Sequence, residues 1–69
     1  MLTYRITVDE LNSREAARIL TDALNDAGAD YVKADYRKGW LEIDTSLSVE
    51  EIYDVIEEAG FSPADLDII

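Results

Sequence analysis

The apolar residues of the first 27 positions change their spacing once, and that change limits what the chain can become. Leu2, Tyr4, Ile6 and Val8 alternate with Thr3, Arg5 and Thr7. Successive side chains of an extended strand point to opposite faces, so this run predicts a strand with one apolar face. From residue 16 the spacing turns helical. Ala16, Ile19, Leu20, Ala23, Leu24 and Ala27 share one side, and Arg14, Arg18, Asp22 and Asp26 take the other. Gly28 ends that helix, because glycine adopts the left-handed conformation of a C-terminal cap without penalty.

The cycle then returns with one strand added. Val32, Ala34 and Tyr36 alternate with Tyr31, Lys33 and Asp35, and Arg37, Lys38 and Gly39 turn the chain. Residues 40–44 form a third strand with Leu41 and Ile43 inward. Tyr31 and Trp40 are thereby expected on the sheet face away from the helices, as a cross-strand aromatic pair or as a docking surface. Ser48 and Glu51 have capping-box spacing at the start of a second helix. Its inner stripe is Val49, Ile52, Ile56 and Ala59, and its outer side is Glu50, Glu51, Asp54, Glu57 and Glu58. Gly60 ends it, and residues 66–69 are expected to add a last edge strand. The order βαββαβ predicts an α+β, ferredoxin-like sandwich: a four-stranded antiparallel sheet in the order 4-1-3-2 with two helices on one face, in a single domain over residues 1–69.

A chain of 69 residues buries only about 60% of its unfolded surface, so its stability margin is thin. There is no cysteine to staple it and no histidine. That rules out disulfides, zinc sites of Cys/His type, and Ser/His or Cys/His nucleophilic catalysis, so the chain is expected to be no enzyme. No basic segment leads a long apolar run at the amino-terminal end, and no apolar stretch approaches the length of a membrane span. A cytoplasmic placement is expected, with no membrane association.

The formal charge of −10 is unevenly placed. Residues 1–41 carry seven acids and six bases, a balance of −1, whereas residues 42–69 carry nine acids and no base, a balance of −9. Such a chain repels nucleic acid and anionic membrane, and its natural complement is a basic protein surface. Glu50, Asp54 and Glu57 are the expected docking residues, with Trp40 and Tyr31 as a second candidate surface. The plain alternative is a solvated face that serves solubility.

Between the first strand and the first helix lies the stretch VDELNSREA, residues 8–16. Together with IYDVIEEAGF over residues 52–61 and the run from Gly28 through Val32 and Ala34 to Asp35, its position resembles the heavy-metal-associated domain of copper chaperones and copper-pumping ATPases. The resemblance covers nearly the whole chain and implies the ferredoxin-like fold. The family's first loop carries Gly-Met-x-Cys-x-x-Cys. Laid onto this chain, the four named positions fall on Asp9, Glu10, Asn12 and Glu15, and all four differ. Cu(I) is soft and needs thiolates near a helix amino terminus, so an amide and a carboxylate make weak substitutes. The resemblance therefore implies an inherited fold without copper carriage and without a cofactor.

Asn12 and Glu15 have capping-box spacing of their own, so Asn12 is expected to cap the first helix. A second possibility is a weak hard-cation site, since Asp9, Glu10, Asn12 and Glu15 bring several oxygens into one loop. Phe61 matches the family's aromatic beside that loop, or serves simply as core. Other functions on this topology fit less well. An RNA-recognition domain needs a basic stripe. The first loop has no glycine, as a small-molecule sensor of the ACT type would require, and no glycine-rich phosphate cradle exists. An acidic mimic that occupies a nucleic-acid-binding cleft on another protein stays open, as does the oligomeric state, monomer or weak homodimer.

Overall fold

The computed structural model describes residues 2–69. Strand β1 spans Leu2–Val8, helix α1 Arg14–Asp26, strand β2 Tyr31–Asp35, strand β3 Trp40–Thr45, helix α2 Val49–Glu58 and strand β4 Pro63–Ile68. The sheet is antiparallel throughout, in the order β2-β3-β1-β4. This is the expected 4-1-3-2 order read from the other edge. It follows from two crossovers that each skip one position, so that β3 fits between β1 and β2 and β1 fits between β3 and β4.

The strand alternation sorts the side chains as expected except at the start of β1, where Leu2 is exposed. Tyr4, Ile6 and Val8 of β1 and Leu41 and Ile43 of β3 are buried under the helices. α1 adds Ala16, Leu20 and Leu24, and α2 adds Ile52 and Ile56. Ile6, Val8, Leu20, Leu24, Leu41, Ile43, Ile52 and Ile56 are all at 0% exposure. Each such side chain contributes about 1.5–3 kcal/mol by leaving water. Two expected members of the stripes lie outside this core: Ile19 and Val49 are exposed. Both sit at the margin of their apolar arc, and Val49 is the first residue of α2, where the helix has not yet come over the sheet.

The helix ends follow one design. Ser48 caps α2, its Oγ accepting from the Glu51 amide at 3.2 Å while Glu51 Oε1 accepts from the Ser48 amide at 3.1 Å. The capping box is therefore present in both directions. At the other end the Phe61 amide donates to the Ile56 carbonyl and the Gly60 amide to the Glu57 carbonyl, with Gly60 at φ +95°. α1 ends the same way, through Ala29 to Leu24 and Gly28 to Asn25. Both are Schellman ends, in which the left-handed residue favours glycine and the residue after it packs back on the helix. That is the position of Phe61, half-buried against the core.

The last strand starts earlier than expected, at Pro63, which pairs with Val8 across a register shift. Proline lacks a donor, and the first residue of an edge strand can do without one. β2 ends at Asp35, so Tyr36 belongs to the turn.

α2 carries five carboxylates and no base in ten residues. Glu57 and Glu58 also face the negative end of their own helix dipole. Like charges on one helix face cost a few tenths of a kcal/mol per pair. Raising NaCl shortens the Debye length from about 30 Å at 0.01 M to about 10 Å at 0.1 M. The melting temperature is expected to rise over that range in calorimetry or circular dichroism. A fall would show that attractive ion pairs outweigh the repulsion.

Candidate functional site

The first loop is shaped by one side chain that the alternation of β1 does not reveal. Leu11 is buried at 1% exposure. Its amide donates to the Val8 carbonyl at 3.0 Å, and the Asn12 amide donates to the Glu10 carbonyl at 2.9 Å. These two tight turns use up residues 8–12, so the chain becomes extended only at Ser13, with φ −149° and ψ 160°. Ser13 is therefore the N-cap. Its Oγ accepts from the Ala16 amide at 3.1 Å. The expectation that Asn12 caps α1 is corrected: Asn12 is exposed and stands one residue too early, because Leu11 has to reach the core. Glu15 does lie in the first turn, where the helix dipole favours a carboxylate.

Glu10 points across to the other side of the site. Its Oε1 accepts from the Ser62 amide at 3.0 Å and ties the first loop to the connection between α2 and β4. That bond to the Ser62 backbone is the chief reason the Glu10 carboxyl is held below the ordinary carboxylate range. Asp9, Asn12 and Glu15 are exposed. Among the described residues, no group of three or more His, Cys, Asp or Glu side chains is placed to hold a metal ion. The oxygens of Asp9, Glu10, Asn12 and Glu15 are close in sequence but are not gathered around a point.

The β2–β3 turn lies at the same end of the sheet, since the Val8 amide donates to the Gly39 carbonyl at 2.9 Å. Asp35 Oδ1 accepts from the amides of Arg37 and Lys38 at 3.1 and 3.2 Å. Gly39 closes the turn at φ +79°. The Arg37 guanidinium lies 5.9 Å from the Tyr36 ring centroid. Arg14 and then Arg37 hold the Tyr36 hydroxyl below its ordinary range. On the open face of the sheet, the Arg5 guanidinium lies 4.6 Å from the Trp40 ring centroid and Lys38 Nζ lies 5.7 Å from it. Trp40 was expected to pair with Tyr31 or to dock a partner. The register overturns the pair: Trp40 stands opposite Thr7 and Asp35, and Tyr31 stands opposite Asp44. Trp40 is a platform for two cations instead, a role visible only once β1 is placed beside β3. Tyr31 is 54% exposed. Glu50, Asp54 and Glu57 are all exposed along α2.

With this geometry in place, the chain can be set beside known proteins. No protein-family model matches it, and no curated protein matches it. Solved structures do. A heavy metal binding protein from Thermotoga maritima is similar over 97% of this chain and 98% of its own, with a TM-score of 0.89 at 12% identity. A copper binding domain from a P-type ATPase is similar over 100% of this chain and 95% of its own, with a TM-score of 0.85 at 16% identity. A copper chaperone from Synechocystis PCC6803 is similar over 87% of this chain and 97% of its own, with a TM-score of 0.78 at 26% identity.

The fold is that of the heavy-metal-associated domains.

Within that fold the motif can be placed by packing. Its one large apolar residue, Met, stands two positions before the first cysteine. The only fully buried side chain in the first loop is Leu11. Seating one on the other puts the cysteine positions at Ser13 and Ala16, one residue later than Asn12 and Glu15. On that placement a hydroxyl and a methyl stand where the thiolates would be, and the chain holds no cysteine at all. These groups do not fit a soft metal ion. The Ser13 oxygen is already engaged by the amide of Ala16.

Two outcomes are expected. Ser13→Ala should cost about 0.5–2 kcal/mol in denaturant melts, as loss of an N-cap does, whereas Asn12→Ala should stay within about 0.5 kcal/mol, as exposed substitutions do. The reverse ranking would return the cap to Asn12. The parent should bind Cu(I) no tighter than about micromolar in competition with a chelator, while Ser13→Cys with Ala16→Cys should gain at least about 4 kcal/mol, a thousandfold. No gain from the double variant would mean that the loop, and not only its side chains, has departed from the metal-binding geometry.

Proposed function

We propose that this chain is a non-enzymatic interaction module: a heavy-metal-associated fold that has given up metal carriage and acts through its acidic surface on a basic protein partner. The observation that carries this reading is the contrast between its two candidate sites. The first loop has a hydroxyl and a methyl where the thiolates would be, and its polar groups are used within the protein. α2, by contrast, presents Glu50, Asp54 and Glu57 outward with no base beside them on the helix. Carboxylates concentrated this way raise the encounter rate with a cationic surface and suppress wrong partners. Among the described residues no helix is long and apolar enough to cross a membrane. Tyr31 is a further contact candidate on the open sheet face. Trp40 is less available because two cations lie against it.

The test is charge reversal at Glu50, Asp54 and Glu57 together, each to Lys. The variant is expected to be at least as stable as the parent, because it removes like-charge pairs. It is also expected to lose retention of a basic partner in a pull-down, and parent binding should weaken as salt rises. If the variant keeps the full partner set, the acidic helix is a solubility device and the docking reading is wrong.

A further inference from the structure

We propose that the cationic rim around the β2–β3 turn, built from Arg14, Arg37 and Lys38 with Tyr36 and continued onto the open sheet face by Trp40 and Arg5, docks a carboxylate-rich segment of another protein. This surface is distinct from α2 and takes a partner of opposite chemistry.

The first argument is placement. The chain has six basic residues against sixteen acidic ones. Four of the six are in this rim, and Arg18 lies one helical turn beyond Arg14 on the same side of α1. Lys33 stands in β2 on the same open face, across Glu42 from Arg5 and away from the turn. The fold brings together bases that are separated in sequence: Arg14 from the start of α1, Arg37 and Lys38 from the turn, and Arg5 from the middle of β1.

The second argument is preorganisation. Long cationic side chains lose rotamer freedom on binding, and that loss weakens association unless it has already occurred. Here Arg37 rests against Tyr36, and Arg5 and Lys38 rest against Trp40. A guanidinium stacked on a ring still presents its N–H edge, the edge that grips a carboxylate in two places. The turn beneath is itself held, because Asp35 Oδ1 accepts from two successive amides. That carboxylate is engaged with the backbone beneath the cations. The acids that stand near the surface include Glu15 beside Arg14 and Arg18 on α1, Glu42 and Asp67 opposite Arg5 in the register, and Asp65 in the row of Trp40 across Thr7. Arg5 is thus the most neutralised member, and Arg14, Arg37 and Lys38 are the centre. The lowered hydroxyl of Tyr36 is consistent with a net positive field there.

An acidic protein segment suits this surface better than nucleic acid does. Single strands bind by stacking their bases on aromatic faces. Here Tyr36 and Trp40 already carry cations. The charges are on offer and each ring already has a cation near it, which suits carboxylates better than bases.

Trp40 is the only tryptophan in the chain and lies in the rim, so its fluorescence reports occupancy. The parent is titrated with a glutamate-rich peptide and, separately, with an oligothymidylate of equal charge, both followed by fluorescence and by calorimetry. Saturable peptide binding that weakens with NaCl is expected, and Arg37→Gln with Lys38→Gln should weaken it about tenfold or more. Those side chains are exposed, and the turn's hydrogen bonds use only their amides, so the variant should fold. Lys33→Gln, on the open face but away from the turn, should lose much less. The proposal is overturned by absence of peptide binding in both measurements, by equal losses in the Lys33 variant, or by tighter binding of oligothymidylate than of peptide. Sedimentation of the parent alone provides a further check. A concentration-dependent dimer that Arg37→Gln with Lys38→Gln dissolves would make the acidic α2 of a second copy the occupant and would overturn docking of another protein.

Discussion

The burial of Ile6 and Val8 between the sheet and the two helices is the contact on which the rest of the domain depends. β1 is one of the two central strands, paired with β3 on one flank and β4 on the other. Its inner face therefore meets both helices at once. The same apolar face extends past the strand end to Leu11, which is pulled into the core after two tight turns. That pull sets where α1 begins, and so which residues stand at its amino terminus. The first loop is a consequence of core packing before it is a site of any kind.

This ordering explains how the fold persists without a metal ion. The loop is closed by its own bonds: Leu11 to Val8, Asn12 to Glu10, Ala16 to Ser13, and Glu10 to the amide of Ser62. Together they satisfy polar groups that are costly to leave unpaired. Ser13 in that loop serves as the cap of α1 and Ala16 packs in the core, so both positions do structural work without a metal ion. Carboxylates take up the same kind of structural work elsewhere. Glu51 completes the cap of α2, and Asp35 shapes the turn between β2 and β3.

Charge has been distributed around the apolar core without entering it. The buried set contains one polar side chain, Thr45, whose hydroxyl oxygen accepts from the Leu47 amide. The acids collect on the outer face of α2 and the bases around the turn and the start of α1. A molecule with a large net charge thus carries two local fields of opposite sign. Within a Debye length of about 10 Å, such local fields govern contact more than the net charge does. Net charge alone pointed to a single, basic class of partner. The folded arrangement adds a second surface.

The sequence alone determined the elements, their order and the sheet topology, because strand and helix periodicities are local and leave few ways to bury their apolar faces together. The cap of α2 and both glycine ends were legible for the same reason: each is decided within a few residues. What lay outside that reach needed tertiary structure. Asn12 and Ser13 are equally good caps by composition, and only the demand of Leu11 for the core chose Ser13. Ile19 and Val49 satisfied the helical pattern, but the sheet beneath them was not wide enough to cover the edges of the arc. Trp40 acquired its cations from β1 and from the turn, and Tyr36 acquired Arg14 from α1. The pairings of Arg5 with Trp40 and of Arg14 with Tyr36 join residues tens of positions apart, and the tertiary arrangement, not spacing along the chain, brings those charges to those rings.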